Sequence, residues 1–283
     1  MIGVVDVGGG ERGAYGAGVL DYCMEHGIDF DYCVGVSAGA ANLSSYMCGQ
    51  IGRNFAFYTT YSFRPQYMGF GQVVRKREYV DLDYVYGTLS NSDGAHPLDF
   101  PKMMAAKEAG KQFTIVATDA ATALPVYFTI DDMAQDDYAP IKASSALPVV
   151  NRPYPVNGQP CFDGGLSDPI PVQRALEAGC DKVVVILTKP RDFYRSSKPD
   201  RRFVPLIARS YPRVAVALAN RAGLYNLQLD LAKKHERDGR VLIVAPDTIG
   251  DMKTLTKDRS LIEGLYAKGL RDASAIESFL GKR

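Results

Sequence analysis

An apolar stretch from Tyr32 to Val36 runs directly into Gly35-Val36-Ser37-Ala38-Gly39 and then into a run of small residues. This order of strand, Gly-x-Ser-x-Gly and helix admits few folds. A serine held on a sharp strand-to-helix turn needs neighbours without side chains, because the backbone is strained there and adjacent chain approaches closely. The arrangement reads as a nucleophile elbow, with Gly35 and Gly39 as its flanks. Ser37 would stand at a helix N-terminus, where the helix dipole favours negative charge developing on its oxygen.

The elements around the elbow extend the same pattern. Residues 2 to 7 form a first strand, followed by the loop Gly8-Gly9-Gly10-Glu11-Arg12-Gly13 and a helix from Ala14 to Glu25. Two βα units in succession predict a parallel sheet with helices on its faces. Farther along, Phe113 to Thr118 reads as a strand with Pro125 to Ile130 as its hairpin partner, Pro140 to Ala146 as a helix, and Lys182 to Leu187 as a buried strand. Residues 51 to 101 lose this periodicity and are rich in Phe and Tyr, which leaves two readings: aromatic packing of irregular structure, or a lipid-facing lid. The tail holds a helix from Val214 to Arg237, a strand from Val241 to Val244 and an amphipathic helix from about Ser260 to Phe279. The expected fold is α/β, with a mainly parallel central sheet flanked by helices in three layers and a C-terminal helical extension. A core of residues 1–190 and an extension of residues 191–283 packed on it would form one structural domain.

A chain of 283 residues with 46% hydrophobic content can bury a sizeable core. Its net charge of +1 carries no basic excess of the kind a nucleic-acid binder shows, so no nucleic-acid partner is expected. The basic stretch Arg191 to Arg202 reads as a solvated connector, with contact to anionic lipid as the sharper alternative. The sequence shows neither a signal-peptide pattern nor an apolar run of the roughly 20 residues that a membrane span requires. The five cysteines lack metal-ligand spacing and lie in apolar surroundings, which suits buried thiols rather than disulfides. The expected location is cytoplasmic, at most peripheral to a membrane.

Gly8-x-Gly10-x-x-Gly13 also satisfies the dinucleotide fingerprint, but the acidic residue wanted at the end of the second strand is missing: Asp29 and Asp31 precede that strand. The glycines suit an oxyanion hole better, since consecutive residues without side chains can aim several backbone N–H groups at one point. Losing one such donor typically costs about 2.7 to 4 kcal/mol of barrier. Gly8, Gly9, Gly10, Arg12 and Gly13 are the candidates, Arg12 either bracing the loop or lending positive potential. A nucleophilic serine needs a base, and none of His26, His96 and His235 is well placed. The order Ser37, Asp163, His235 matches an α/β-hydrolase triad, yet the elbow follows only one βα unit and His235 sits on a charged helix. Asp163, beside Gly164 and Gly165, can serve as a direct base if burial raises the pKa of its carboxyl.

With Gly8-Gly9-Gly10-Glu11-Arg12-Gly13, Gly35-Val36-Ser37-Ala38-Gly39, Ala143-Ser144-Ser145-Ala146-Leu147-Pro148 and Asp163-Gly164-Gly165 in this order, the chain resembles the patatin-like phospholipase family over about residues 2 to 190. Its tail is closer to bacterial members than to the plant storage proteins. The resemblance implies a Ser-Asp dyad in place of a triad, with Ser37 as nucleophile, Asp163 as proton acceptor and the Gly8–Gly13 loop as oxyanion hole. It further implies a lipid acyl hydrolase that acts on a lipid or small ester and needs no cofactor or metal. The reading from a different class is an idle lipid-binding or regulatory protein that keeps the fold. Oligomeric state is not legible in the residues.

Overall fold

Three consecutive valines in Lys182–Ile186 and the Val-rich segments Ile2–Asp6 and Tyr32–Val36 form the centre of one eight-stranded sheet, buried on both faces as parallel strands between helices must be. The computed structural model describes residues 1–281. Its elements are β1 (Ile2–Asp6), α1 (Ala14–Glu25), β2 (Tyr32–Val36), α2 (Ala38–Met47), α3 (Arg53–Thr59), α4 (Phe70–Lys76), α5 (Phe100–Glu108), β3 (Gln112–Asp119), β4 (Pro125–Thr129), α6 (Ala139–Ser144), β5 (Tyr154–Val156), β6 (Gln159–Asp163), α7 (Val172–Glu177), β7 (Lys182–Ile186), α8 (Lys198–Arg201), α9 (Val204–Ile207), α10 (Pro212–Arg237), β8 (Val241–Val244), α11 (Arg259–Asp272) and α12 (Ala275–Leu280).

Strands β3, β2, β1, β7 and β8 lie side by side in parallel. Register decides what happens at β3. Thr114 to Val116 pair with both β2 and β4, so those two strands hold opposite edges of β3. Ala117 and Thr118 pair with both β4 and β6, which puts β6 on the same edge as β2. Antiparallel β6 therefore runs head-on toward the end of β2: Val36 partners Val116, and Asp163 partners the next residue, Ala117.

Side chains alternate between two cores. Val4, Cys33, Ile115, Val184 and Ile186 pack with α1 and α2, while Val5, Val34, Val116, Val183 and Val185 pack with α7 and α10. Each fully buried aliphatic side chain contributes roughly 1.5–3 kcal/mol. Helix α11 crosses α1 at close range: a methyl added at Gly269 would lie 2.1 Å from the Tyr15 carbonyl oxygen, and one at Gly18 would lie 2.2 Å from that of Tyr266.

The expected strand Val241–Val244 is β8, which extends the sheet beside β7. Two details differ from the sequence reading. The last helix divides into α11 and α12 around Ala273 and Ser274. The turn-rich passage before Asp163 is the hairpin β5–β6, closed by Asn157 and Gly158, both with positive φ as a two-residue hairpin turn requires.

The aromatic segment is pinned by buried Arg53, which donates to Ser45 Oγ (3.0 Å), Ser90 Oγ (2.9 Å) and the His96 carbonyl (3.1 Å). Phe57, Tyr61, Tyr67, Met68, Val85 and Leu89 form its own small core. Helix α4 is its outermost part, with Phe70 82% and Val74 88% exposed. All five cysteines are buried. Among the described residues, no helix is long and apolar enough to cross a membrane.

Candidate active site

The step from β2 into α2 is made by one residue. Ser37 has φ 57° and ψ −130°, a conformation rare for a residue with a side chain, and strain of this kind persists only where the surroundings fix it. Here the Ser37 N–H donates to Ser144 Oγ (2.8 Å), which in turn donates to the Val116 carbonyl (2.6 Å). Gly39 lets α2 start against the end of β1: a methyl there would lie 2.1 Å from the Asp6 carbonyl oxygen. Gly35 plays the same part beneath Ala40.

Because β6 meets β2 end to end, Asp163 arrives beside Ser37. Its Oδ1 accepts from the Gly165 N–H (2.7 Å), while Oδ2 has no fully formed hydrogen bond. The Ser37 hydroxyl lies close enough to act on this carboxylate as a donor. Burial pushes the Asp163 carboxyl above its ordinary value, and Arg221, the Ser37 hydroxyl and the Gly165 N–H pull it partly back. Gly164 turns the chain against the Val116 carbonyl.

The glycine loop closes the third side. Gly8, Gly9 and Gly10 all have positive φ. The Gly8 N–H is committed to Asp6 Oδ1 (2.9 Å) and the Glu11 N–H to the Thr254 carbonyl (2.8 Å), which leaves Gly9 and Gly10 as the loop's uncommitted donors between them. Buried Asp6, its carboxyl raised to about 6 by burial, also accepts from Asn42 Nδ2 (2.9 Å) on α2 and so ties loop to elbow. Gly8, Gly9, Gly10 and Arg12 line a cavity of about 250 Å³ together with Ser37, Asp163 and Gly165. Gly13 does not; it faces Tyr58 and Ala38, where the loop packs on α2.

A second, smaller pocket of about 70 Å³ also reaches Ser37, and its lining includes Phe57, Tyr58, Tyr67, Met68, Val85 and Leu147. The aromatic segment supplies most of that wall.

No histidine lines either space. His26 stacks on Tyr22, His96 packs between Phe57 and Tyr61, and His235 Nδ1 lies 3.8 Å from Asp238 Oδ2 at the end of α10. Among the described residues, no group of three or more His, Cys, Asp or Glu is arranged to hold a metal ion.

The tail reaches the site at several points that the sequence reading missed. From α10, Arg221 Nε donates to the Gly165 carbonyl (2.8 Å); one heptad on, Gln228 donates to Asp168 Oδ1 (2.6 Å) and accepts from the Ile170 N–H (2.8 Å). Thr254 Oγ1 accepts from Arg12 Nη1 (3.1 Å). Lys189 and Arg195 line the same cavity. The (i, i+7) spacing of Arg221 and Gln228 was the available signal, but polar residues on an amphipathic helix usually face solvent.

The family model for patatin-like phospholipase matches residues 7–176, a span holding the glycine loop, the elbow and Asp163 in one site. The chain belongs to the patatin-like phospholipase family. A second model, for DUF6363, a domain of unknown function, matches residues 211–281 of this patatin-like protein. An Escherichia coli K12 relative, the uncharacterized protein YjjU, is 34% identical over 195 residues, which are 68% of this chain and 53% of that protein. The chain thus spans about half the length of the curated relative it matches. Among solved structures, VipD from Legionella pneumophila is similar in fold, with a TM-score of 0.50 and 12% identity over 98% of this chain and 66% of that one. The patatin-like sheet carries a lipid hydrolase family's motifs at its strand ends, where open α/β sheets place their ligands.

Proposed function

We propose that this patatin-like protein is a serine lipid acyl hydrolase in which Ser37 is the nucleophile and Asp163 its base. The observation that carries the reading is a strained Ser37, 9% exposed, at the junction of two cavities and beside a buried carboxylate with one oxygen unsatisfied. As Ser37 Oγ attacks the ester carbonyl, its proton passes to Asp163 Oδ2. The Gly9 and Gly10 N–H groups, with the start of α2, hold the oxyanion. Collapse of the tetrahedral intermediate breaks the acyl C–O bond, and the proton returns from Asp163 to the departing alkoxide. Water, deprotonated by the same carboxylate, then attacks the acyl-serine, releasing the fatty acid and restoring Ser37. No step draws on a metal or cofactor.

The smaller, apolar pocket suits the acyl chain, and a lipid surface is its natural source. Exposed Phe70 and Val74, next to Arg75, Lys76 and Arg77 on and after α4, join an apolar patch to positive charge, as peripheral contact with anionic lipid requires. Exposed Arg201 and Arg202 add a second basic patch. Sedimentation with anionic but not zwitterionic vesicles, weakened in Phe70→Ser/Val74→Ser, is the expected outcome. The buried cysteines accord with a reducing, cytoplasmic setting.

Turnover of p-nitrophenyl esters of short and long acyl chains tests the dyad. Ser37→Ala and Asp163→Asn should each reduce kcat to background while circular dichroism shows the native fold. A folded wild type inactive on these esters and on phospholipid micelles would favour the idle lipid-binding protein instead.

A further inference from the structure

Three basic side chains around the larger cavity form no ion pair, although Arg221 lies near enough to Asp163 to favour its charge. Lys189 lies over the Phe193 ring at 3.6 Å; Arg221 bonds only the Gly165 carbonyl; Arg12, 8% exposed, bonds the Thr254 hydroxyl and keeps its Nε buried without an acceptor. The fourth, Arg195, grips Asp200 with two bonds of 3.1 and 3.2 Å. Four cations thus face two carboxylates, Asp163 at the serine and Asp200 already paired. The mutual repulsion of like charges disfavours such crowding, and a bound anion would offset it. That crowding is felt: burial, then Arg12, Arg195 and Arg221, push Lys189 down to about 8, and burial with the neighbouring arginines pushes Arg12 down to about 10.

We infer that Arg12, Lys189 and Arg221 form a subsite for a dianionic phosphomonoester carried by the substrate beside its scissile ester. The inference rests on the hydrolase reading for its substrate and on the geometry of the cavity for its charge. Three terminal phosphate oxygens can accept from three separate cations, which a carboxylate with two oxygens cannot match. A zwitterionic headgroup would bring an ammonium into the same crowd, where Asp200 is already paired with Arg195 and Asp163 faces Ser37. An apolar pocket and a cation-lined cavity that meet at Ser37 fit an acyl ester whose far end is a phosphate, the chemistry of a lysophosphatidate. Two of the three cations come from the segment after residue 188, so this charge is a contribution of the tail.

The experiment compares kcat/KM for 1-hexanoyl-glycerol 3-phosphate and 1-hexanoyl-glycerol 3-phosphocholine, both soluble and with the same scissile bond. The wild type should prefer the phosphomonoester at least tenfold, through KM. In Lys189→Gln the preference should fall below about threefold, and Lys189→Arg should restore it, which a merely structural lysine would not predict. Inorganic phosphate serves as the second probe, inhibiting turnover of p-nitrophenyl butyrate. Competitive inhibition that is lost in Lys189→Gln assigns the subsite to free phosphate as well; ester preference without inhibition assigns it to the lipid headgroup alone. Equal turnover of both esters in the wild type, with no phosphate inhibition, overturns the subsite and leaves the hydrolase reading standing. If neither ester is hydrolysed, the hydrolase reading fails. Calorimetry of the phosphomonoester with Ser37→Ala then decides the subsite separately: binding abolished by adding Lys189→Gln upholds it, and no binding at all overturns it.

Discussion

With Asp163 as the proposed base, one residue's environment would set the pH profile. A carboxyl raised by burial accepts the serine proton only while ionised, so kcat/KM on a neutral ester should fall as pH drops through a pKa above the usual value of about 3.9. Arg221 is the largest influence opposing that rise. Removing its charge in Arg221→Gln should lift the carboxyl further and move the acid limb to higher pH, as loss of a nearby opposite charge does; Arg221→Lys should keep it near the wild-type position. Glu11, raised to about 8 by burial and partly offset by Lys257, faces the neighbouring apolar pocket. A Glu11→Gln background keeps its titration out of the profile. An acid limb unmoved by Arg221→Gln would detach Arg221 from the base.

At the scale of elements, α2 can start only where Gly39 touches the end of β1. Gly39→Ala would force a methyl to 2.1 Å from a main-chain oxygen that belongs to a central strand and cannot swing away. Overpacking of this sort costs about 1–3 kcal/mol, readable as a lower urea midpoint at unchanged slope. Ester turnover should drop further than stability does, because Asp6 also holds the Gly8 N–H. What could be read from the sequence follows the same division. Strands such as Lys182–Ile186 announce themselves because burial on both faces leaves only apolar residues, and Ser37 and Asp163 are marked by local glycine spacing. The hairpin β5–β6 was hidden because Pro153, Pro155 and Pro160 read as breakers; Pro153 precedes β5, Pro155 is on the edge strand β5, and Pro160 lies beside the turn, before β6 pairs with β3. The break between α11 and α12 carries neither proline nor glycine to signal it. Lys189, Arg195 and Thr254 were invisible for another reason: they reach the cavity of the glycine loop and Asp163 only through the tertiary fold, and no spacing along the chain records that.

The whole molecule depends on its tail in three places at once. Strand β8 covers the edge of β7, α11 covers α1 through the Gly18–Gly269 crossing, and α10 bonds the segment after Asp163 through Arg221 and Gln228. Residues 1–190 alone would expose an apolar sheet edge and one face of α1, a template for aggregation. That fragment is expected to elute as aggregate in size-exclusion chromatography and to lack cooperative thermal unfolding. A monomeric, cooperatively melting fragment that still cleaves esters would show the core to be self-sufficient and would demote the tail to an accessory.

The buried cysteines have a practical corollary. The chain contains no tryptophan, so the usual fluorescent signal of unfolding is missing. Burial also pushes the Cys48 and Cys161 thiols up to about 12 and Cys180 to about 11, leaving almost no thiolate for a disulfide reagent to find. Colour released by Ellman's reagent therefore counts molecules that have opened, and its rate in dilute denaturant reads the stability of each layer of the sheet through sulfurs that the protein already carries.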